Sequence, residues 1–162
     1  MHRPVSYIQQ TKDLYDSLGY DAYRWFEADS LPDFVKPSKP LAQSKLGLVS
    51  TAGTYLAGQV AYHYKDDTSI RTIPGDSEVA DIRFSHVTEN YLAEARQDPR
   101  CVFPIEALRA LRDSGAIGGL ADNFFSCMGG IYSQRRVTDE LIPDLAAHIE
   151  KENIDVLLLV PL

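Results

Sequence analysis

Cysteine is scarce in this chain. Only Cys101 and Cys127 occur among 162 residues, far apart and outside any C-x-x-C pair. That excludes a disulfide framework and a cysteine metal cage; the plain expectation is two buried, inert thiols. Histidine is also sparse: His2, His63, His86 and His148 are the full set of 4, and no three stand at a metal-ligating spacing, so no metal is expected. Basic residues are outnumbered, 16 Lys and Arg against 23 Asp and Glu, for a formal charge of −7. Without a basic stripe, nucleic acid and an anionic membrane surface are poor partners. The longest apolar run, Val156 to Leu162, is too short to span a bilayer. The start, Met1-His2-Arg3-Pro4-Val5-Ser6, lacks the apolar stretch of a signal peptide, so a cytoplasmic protein is expected. Neither G-x-G-x-x-G nor a phosphate-binding G-x-x-x-x-G-K-[ST] occurs, which argues against a dinucleotide or a nucleoside triphosphate.

What is present fits a single domain with a real core, since 44% of residues are hydrophobic. Residues 5–18 carry Tyr7, Ile8, Thr11, Leu14, Tyr15 and Leu18 at helical spacing, ended by Gly19. Residues 20–29 are aromatic-rich and predict a short helical piece whose rings pack. Residues 30–44, with Pro32, Pro37 and Pro40, form a loop. Lys45 to Ser50 is the first strand; an extended stretch follows at Ser69 to Ile73, and Ala80 to Ser85 alternates as a half-buried strand. Residues 86–100 read as a loop with one helical turn. Pro104 opens a helix with Ile105, Leu108 and Leu111 on its apolar face, and Gly115 closes it. Gly129-Gly130 marks a close backbone approach before a short strand at Ile131-Tyr132. Thr138 is a candidate cap for the last helix, although Pro143 moves the expected start towards Ile142. A terminal strand spans residues 154–160.

The strands at 45–50 and 154–160 are continuous apolar runs, as in parallel strands covered on both faces. The expected architecture is α/β: a mainly parallel central sheet flanked by helices, a Rossmann-like three-layer sandwich. In it residues 154–160 would be a central or near-central strand, and the N-terminal helical segment 1–44 would pack on a sheet core of 45–162. Ligands of such sheets bind beyond the carboxyl ends of the strands. The first strand ends at Ser50, Thr51 and Gly53, whose turn would offer backbone N–H groups to a substrate carboxylate. The plain alternative is a tight turn. His86, at a strand end, is a candidate for orienting a carboxylate or assisting a leaving amine as an acid; the alternative is a loop-capping histidine. Cys127, beside Met128-Gly129-Gly130, reads as a core residue or as a resolving thiol.

Several segments, in order, resemble one family. "LGLVSTAGTYLAGQ" at 46–59, "RFSH" at 83–86, "VFPIEALRALRDSGAIGGL" at 102–120, "FFSCMGGI" at 124–131 and "IDVLLLVPL" at 154–162 are similar to the selenoprotein B family of glycine, sarcosine, betaine and D-proline reductases. The third segment carries the most specific pattern. The resemblance implies a redox residue, selenocysteine or cysteine, directly after Leu162 and absent from this chain, as if a UGA codon had been read as a stop. The chain would then be the N-terminal part of a longer protein, inactive alone. Such a residue acts as its anion, which a strand end facing a helix N-terminus favours.

The implied activity is that of an oxidoreductase, with a disulfide as acceptor in the reverse sense, that reductively cleaves a C–N bond of a small amino-acid-like substrate. It would work with other reductase subunits, a thioredoxin-like donor, and a carbonyl-type (pyruvoyl) group on a partner subunit. Leu159-Val160-Pro161-Leu162 departs from the family, whose glycine reductases have a Ser/Thr-rich run there. Two other readings stand beside it: a non-catalytic small-molecule-binding or interaction domain that scaffolds a reductase complex, and a carboxylate-binding module unrelated to redox.

Overall fold

The computed structural model describes residues 4–162; Met1 to Arg3, and with them His2, lie outside the described residues. The chain divides into two compact units, Met1–Phe34 and Val35–Leu162.

The first unit holds helix α1 (Tyr7–Leu18). Gly19, at φ 73°, ends it, and its N–H caps the carbonyl of Asp16. A left-handed C-cap of this kind suits glycine because no Cβ is in the way. Residues 20–29 are not helical, contrary to expectation. The aromatic residues nevertheless pack as a set: Tyr15 meets Tyr20 and Tyr23 edge to face, and Trp25 meets Tyr7 and Tyr23. Ring contacts, rather than helical hydrogen bonds, set the path of that segment.

The second unit is built around β1 (Lys45–Ser50). The other strands are β2 (Thr54–Leu56), β3 (Arg71–Pro74), β4 (Ile82–Phe84), β5 (Gly119–Leu120), β6 (Asn123–Ser126) and β7 (Val156–Val160). On one edge of β1, Lys45 and Leu46 pair with β5, and Val49 and Ser50 pair with β6. β5 and β6 are thus successive pieces of one line along that edge. On the other edge β7 pairs in parallel through Leu46↔Val156 to Ser50↔Val160. β3 joins the far side of β6 antiparallel. The sheet is therefore mixed: every pairing onto β1 is parallel, and β3 runs against the rest.

Among the described residues β7 pairs with β1 alone, and Leu159 is 63% exposed. The expected central position for 154–160 falls to β1 instead. The expected cover on both faces of 154–160 also fails at Leu159, since an apolar run does not report what packs against each face. Nor does it report hydrogen-bonding neighbours on the two edges of the strand.

Alternation along the strands sends side chains to two cores. Leu48, Phe124, Leu158 and Val160 point to one face. There they meet Ile82 and Phe84 of β4, Leu92, Ala95 of helix α2 (Ala93–Gln97), and Ile105 and Leu108 of helix α3 (Ile105–Asp113). Val49, Phe125 and Leu157 point to the other face, against Leu141 and Leu145. The layer over the first face is only partly helical, because the two-stranded antiparallel pair β2–β4 lies in it. The order of layers is that of an α/β sandwich, with this two-stranded pair where a Rossmann-like fold would carry helices alone.

Helix α3 follows Pro104 and closes at Gly115, φ 75°. Ile105 and Leu108 are buried as expected, whereas Leu111 is 44% exposed. The last helix starts earlier than Thr138 or Ile142. It comprises α4 (Gln134–Arg136), a π-helical turn over Val137–Leu141, and α5 (Ile142–Lys151). Ser133 caps it by accepting from the Arg136 N–H, and Thr138 lies inside, its hydroxyl donating to the Gln134 carbonyl. Pro143 has no N–H to donate and its ring crowds the preceding turn; the wide turn just before it relieves that conflict. Ile131 and Tyr132 form no strand. Among the described residues, no helix is long and apolar enough to cross a membrane.

Candidate functional site

The carboxyl ends of β1, β6 and β7 and the segment after β4 meet at one place. Gly129 lies at its centre. A Cβ there would stand 2.9 Å from the Leu162 carbonyl oxygen, 2.9 Å from that of Thr51 and 3.1 Å from His86 Nε2. Only a residue without a side chain fits among the three. The next residue, Gly130, leaves the room that a Cβ would take from Val87. This is the close approach expected of Gly129-Gly130. It brings together Thr51, His86 and the end of β7.

The turn after β1 is held by hydrogen bonds that leave its amides no spare donor. Thr51 N–H donates to the Val160 carbonyl at 3.0 Å, Ala52 N–H to Ser50 Oγ at 3.3 Å, and Gly53 N–H to the Cys127 carbonyl at 3.1 Å. Thr54 N–H donates to Ser126 Oγ at 2.8 Å. Gly53 sits at φ 62°, and a Cβ on it would overlap the Ser85 carbonyl. Its role is to let β1 and the β4 exit touch: Ser85 N–H donates back to the Gly53 carbonyl at 3.0 Å. Ser50 is fully buried. Thr51 is the turn residue that faces the end of the chain, where its Oγ1 accepts from the Leu162 N–H at 2.9 Å.

His86 follows β4 and is 6% exposed. Its Nδ1 accepts from the Thr88 N–H at 3.1 Å, and Thr88 Oγ1 lies 2.7 Å away. Its Nε2 is buried and has no hydrogen-bond partner. Burial pulls the imidazole below its ordinary value, against the opposing charge of Glu89, so the ring is neutral near neutral pH. Glu89 is in turn paired with Arg96 at 2.5 Å. A buried polar atom without a partner costs about 1–3 kcal/mol, and Nε2 is one of two such side-chain atoms among the described residues, with Thr54 Oγ1.

A second buried polar set lies behind the turn. Tyr62 Oη donates to the Ser126 carbonyl at 2.6 Å, and burial raises its hydroxyl well above the ordinary tyrosine value. Thr54 Oγ1 is buried without a partner. The guanidinium of Arg71 lies 4.3 Å from the centre of the Tyr62 ring.

Neither thiol is activated. Cys127 is buried in the core beside Val49 and Phe125, and burial pushes it up to about 11. Cys101 is exposed, contrary to the expected buried state; partial burial, then Asp98 and Glu94, raise it. His63 is exposed on a loop, with Lys65 N–H donating to its Nδ1. His148 lies in α5 against the Phe125 ring. No group of three or more His, Cys, Asp or Glu among the described residues is placed to hold a metal.

Thr88 and Tyr62 were not singled out in the sequence. Thr88 had a local signal: a hydroxyl residue two positions after a histidine can turn its amide and hydroxyl back on the ring. Tyr62 had none, because its partner Ser126 is distant in sequence. A cleft of about 560 Å³ lies at the opposite end of the sheet, lined by Gly75, Asp76, Arg109, Arg112 and Asp122 among others. Arg109 is engaged there with the carbonyls of Gly75 and Ser77, and Arg112 with Asp113.

Comparison with curated proteins finds similarity to a reductase subunit. Over 128 residues the chain is 31% identical to D-proline reductase subunit gamma of Acetoanaerobium sticklandii. The match takes in 79% of this chain and 52% of the relative. The chain thus spans about half the length of the curated relative it matches. No family model matches, and no solved structure matches. The similarity supports a relationship with a reductase subunit family, which is coarser than membership of selenoprotein B.

Proposed function

We propose that this chain is the substrate-side part of a selenocysteine- or cysteine-dependent reductase of the selenoprotein B type, acting on a small amino-acid-like substrate. The observation that carries the reading is the meeting of Thr51, His86 and Leu162 around Gly129, in a chain similar to a D-proline reductase subunit. In this reading a redox residue next after Leu162 would enter the site from the side of Gly129 where Leu162 and His86 meet. D-proline is the first substrate to try, because the relative is named for it. The reaction replaces a C–N bond by C–H; a dithiol supplies two electrons and two protons and becomes a disulfide. A thioredoxin-like protein suits the donor, and a pyruvoyl group on a partner subunit would make the amine a better leaving group. In this reading Thr51 and the glycine turn build the wall of the site, and His86 supplies a hydrogen-bond donor.

The raised thiols of Cys101 and Cys127 support a second reading for the chain alone, a binding or scaffolding part of a reductase complex. The test compares the 162-residue chain with a form extended through the downstream frame, carrying Cys after Leu162. Each is produced together with the neighbouring subunits and given a dithiol and D-proline, glycine, sarcosine or betaine, and the amine product is followed by mass spectrometry. Turnover by the extended form alone supports the reductase reading. No turnover by either would overturn that reading, and equal turnover by both would place the chemistry within these residues and overturn a redox residue after Leu162.

A further inference from the structure

His86 has two ring nitrogens in contrasting surroundings. Nδ1 faces two groups of Thr88, an amide at 3.1 Å and a hydroxyl at 2.7 Å. A backbone N–H can only donate, so Nδ1 must accept. The hydroxyl can donate or accept and follows the amide. The ring proton is thereby left on Nε2, the atom that has no partner and that packs around Gly129 with the carbonyls of Leu162 and Thr51. We propose that Thr88 is a positioning residue that sets His86 as the neutral Nε2–H tautomer, a fixed hydrogen-bond donor for an anionic acceptor at the end of β7.

This deepens the reductase reading and rests on it for the identity of the acceptor, but not for the tautomer. It also narrows the chemistry. Proton delivery from Nε2 at ordinary pH requires an imidazolium, with a second proton on Nδ1 facing the Thr88 N–H. That arrangement sets donor against donor. His86 therefore stabilises negative charge by hydrogen bonding and does not pass a proton. The charged groups near it are Glu89, whose carboxylate oxygen lies 3.5 Å from the His86 amide nitrogen, and Arg96, which is paired with Glu89.

The tautomer is read directly by nitrogen-15 NMR of the imidazole in the full chain. Wild type is expected to show an unprotonated Nδ1 and a protonated Nε2 at neutral pH. Thr88→Val keeps the amide and should keep that tautomer. A wild-type ring protonated on Nδ1 would overturn the proposal, and so would a folded Thr88→Val protein, amide intact, whose ring carries its proton on Nδ1. A second arm identifies the acceptor. D-proline added to the chain should move the Nε2 resonance if the acceptor is a substrate carboxylate. In the form extended with Cys after Leu162, deprotonation of that thiol should move it if the acceptor is a side-chain anion. No movement in either case would refute the donor role, while the tautomer reading would still report on Thr88 independently of any turnover.

Discussion

Replacing Gly129 with alanine tests whether the meeting of strand ends is as tight as the structure has it. The added Cβ would stand 2.9 Å from two carbonyl oxygens, those of Leu162 and Thr51, and 3.1 Å from His86 Nε2. Ordinary contact begins near 3.4 Å, so each carbonyl would have to retreat by about 0.5 Å. Neither is the free end of a flexible side chain. Thr51 is tied to β7 by its N–H to Val160 and by its Oγ1 to Leu162 N–H, so the two carbonyls cannot move apart independently. Overpacking of this kind costs about 1–3 kcal/mol. A loss of about 2 kcal/mol lowers the melting temperature by roughly 4–8 °C in a chain of this size and raises the unfolded population by about 30-fold. Urea denaturation followed by circular dichroism measures it. Gly119→Ala is the control, since a Cβ there meets nothing within 4 Å; it should stay within about 0.5 kcal/mol of wild type. Gly129→Ala unfolding with the same midpoint as the control would refute the packing argument.

Alkylation by iodoacetamide should label Cys101 in the folded chain and spare Cys127 until denaturant is added, because Cys101 is exposed and Cys127 is buried with its thiol at about 11; peptide mass mapping reads the order, and early labelling of Cys127 would contradict its burial. Glu152 is expected to contribute to acid sensitivity. Burial raises its carboxyl, but the Asn123 amide, the Asp122 N–H and Lys45 outweigh that and leave it below its ordinary value. A depressed folded value means that its stabilisation is present above the unfolded value of about 4.3 and is lost as pH falls through the folded one. Glu152→Gln should flatten the stability–pH curve in that acid range, and an unchanged slope in urea midpoints would remove Glu152 from the account.

Local pattern was enough for the elements whose cause is local. The apolar run of β1, the alternation of β4, and the helix between Pro104 and Gly115 follow from residues within a few positions of each other. The close approach at Gly129-Gly130 was legible for the same reason: paired glycines have few other uses before a turn. The last helix was misplaced because two local signals competed. Thr138 looked like a cap, while Ser133 was the hydroxyl that reached an N–H, and the π turn before Pro143 let the helix run through.

The sequence alone determined the apolar run of β1, the alternation of β4, and that His86 and the Ser50–Gly53 turn lie at strand ends; the short strands β2, β5 and β6 were not legible in it. Side-chain periodicity encodes those features directly. Only the tertiary structure decided that β1 is the hub, that β7 pairs on one of its edges, and that β3 runs antiparallel beside β6. Only it decided that the turn amides are already spent on Val160, Ser50, Cys127 and Ser126, and that Nε2 of His86 is the atom left without a partner. Backbone N–H and C=O groups are the same in every residue. Which of them find each other across a sheet or a turn is fixed when distant segments pack, and not by the side chains that name the sequence.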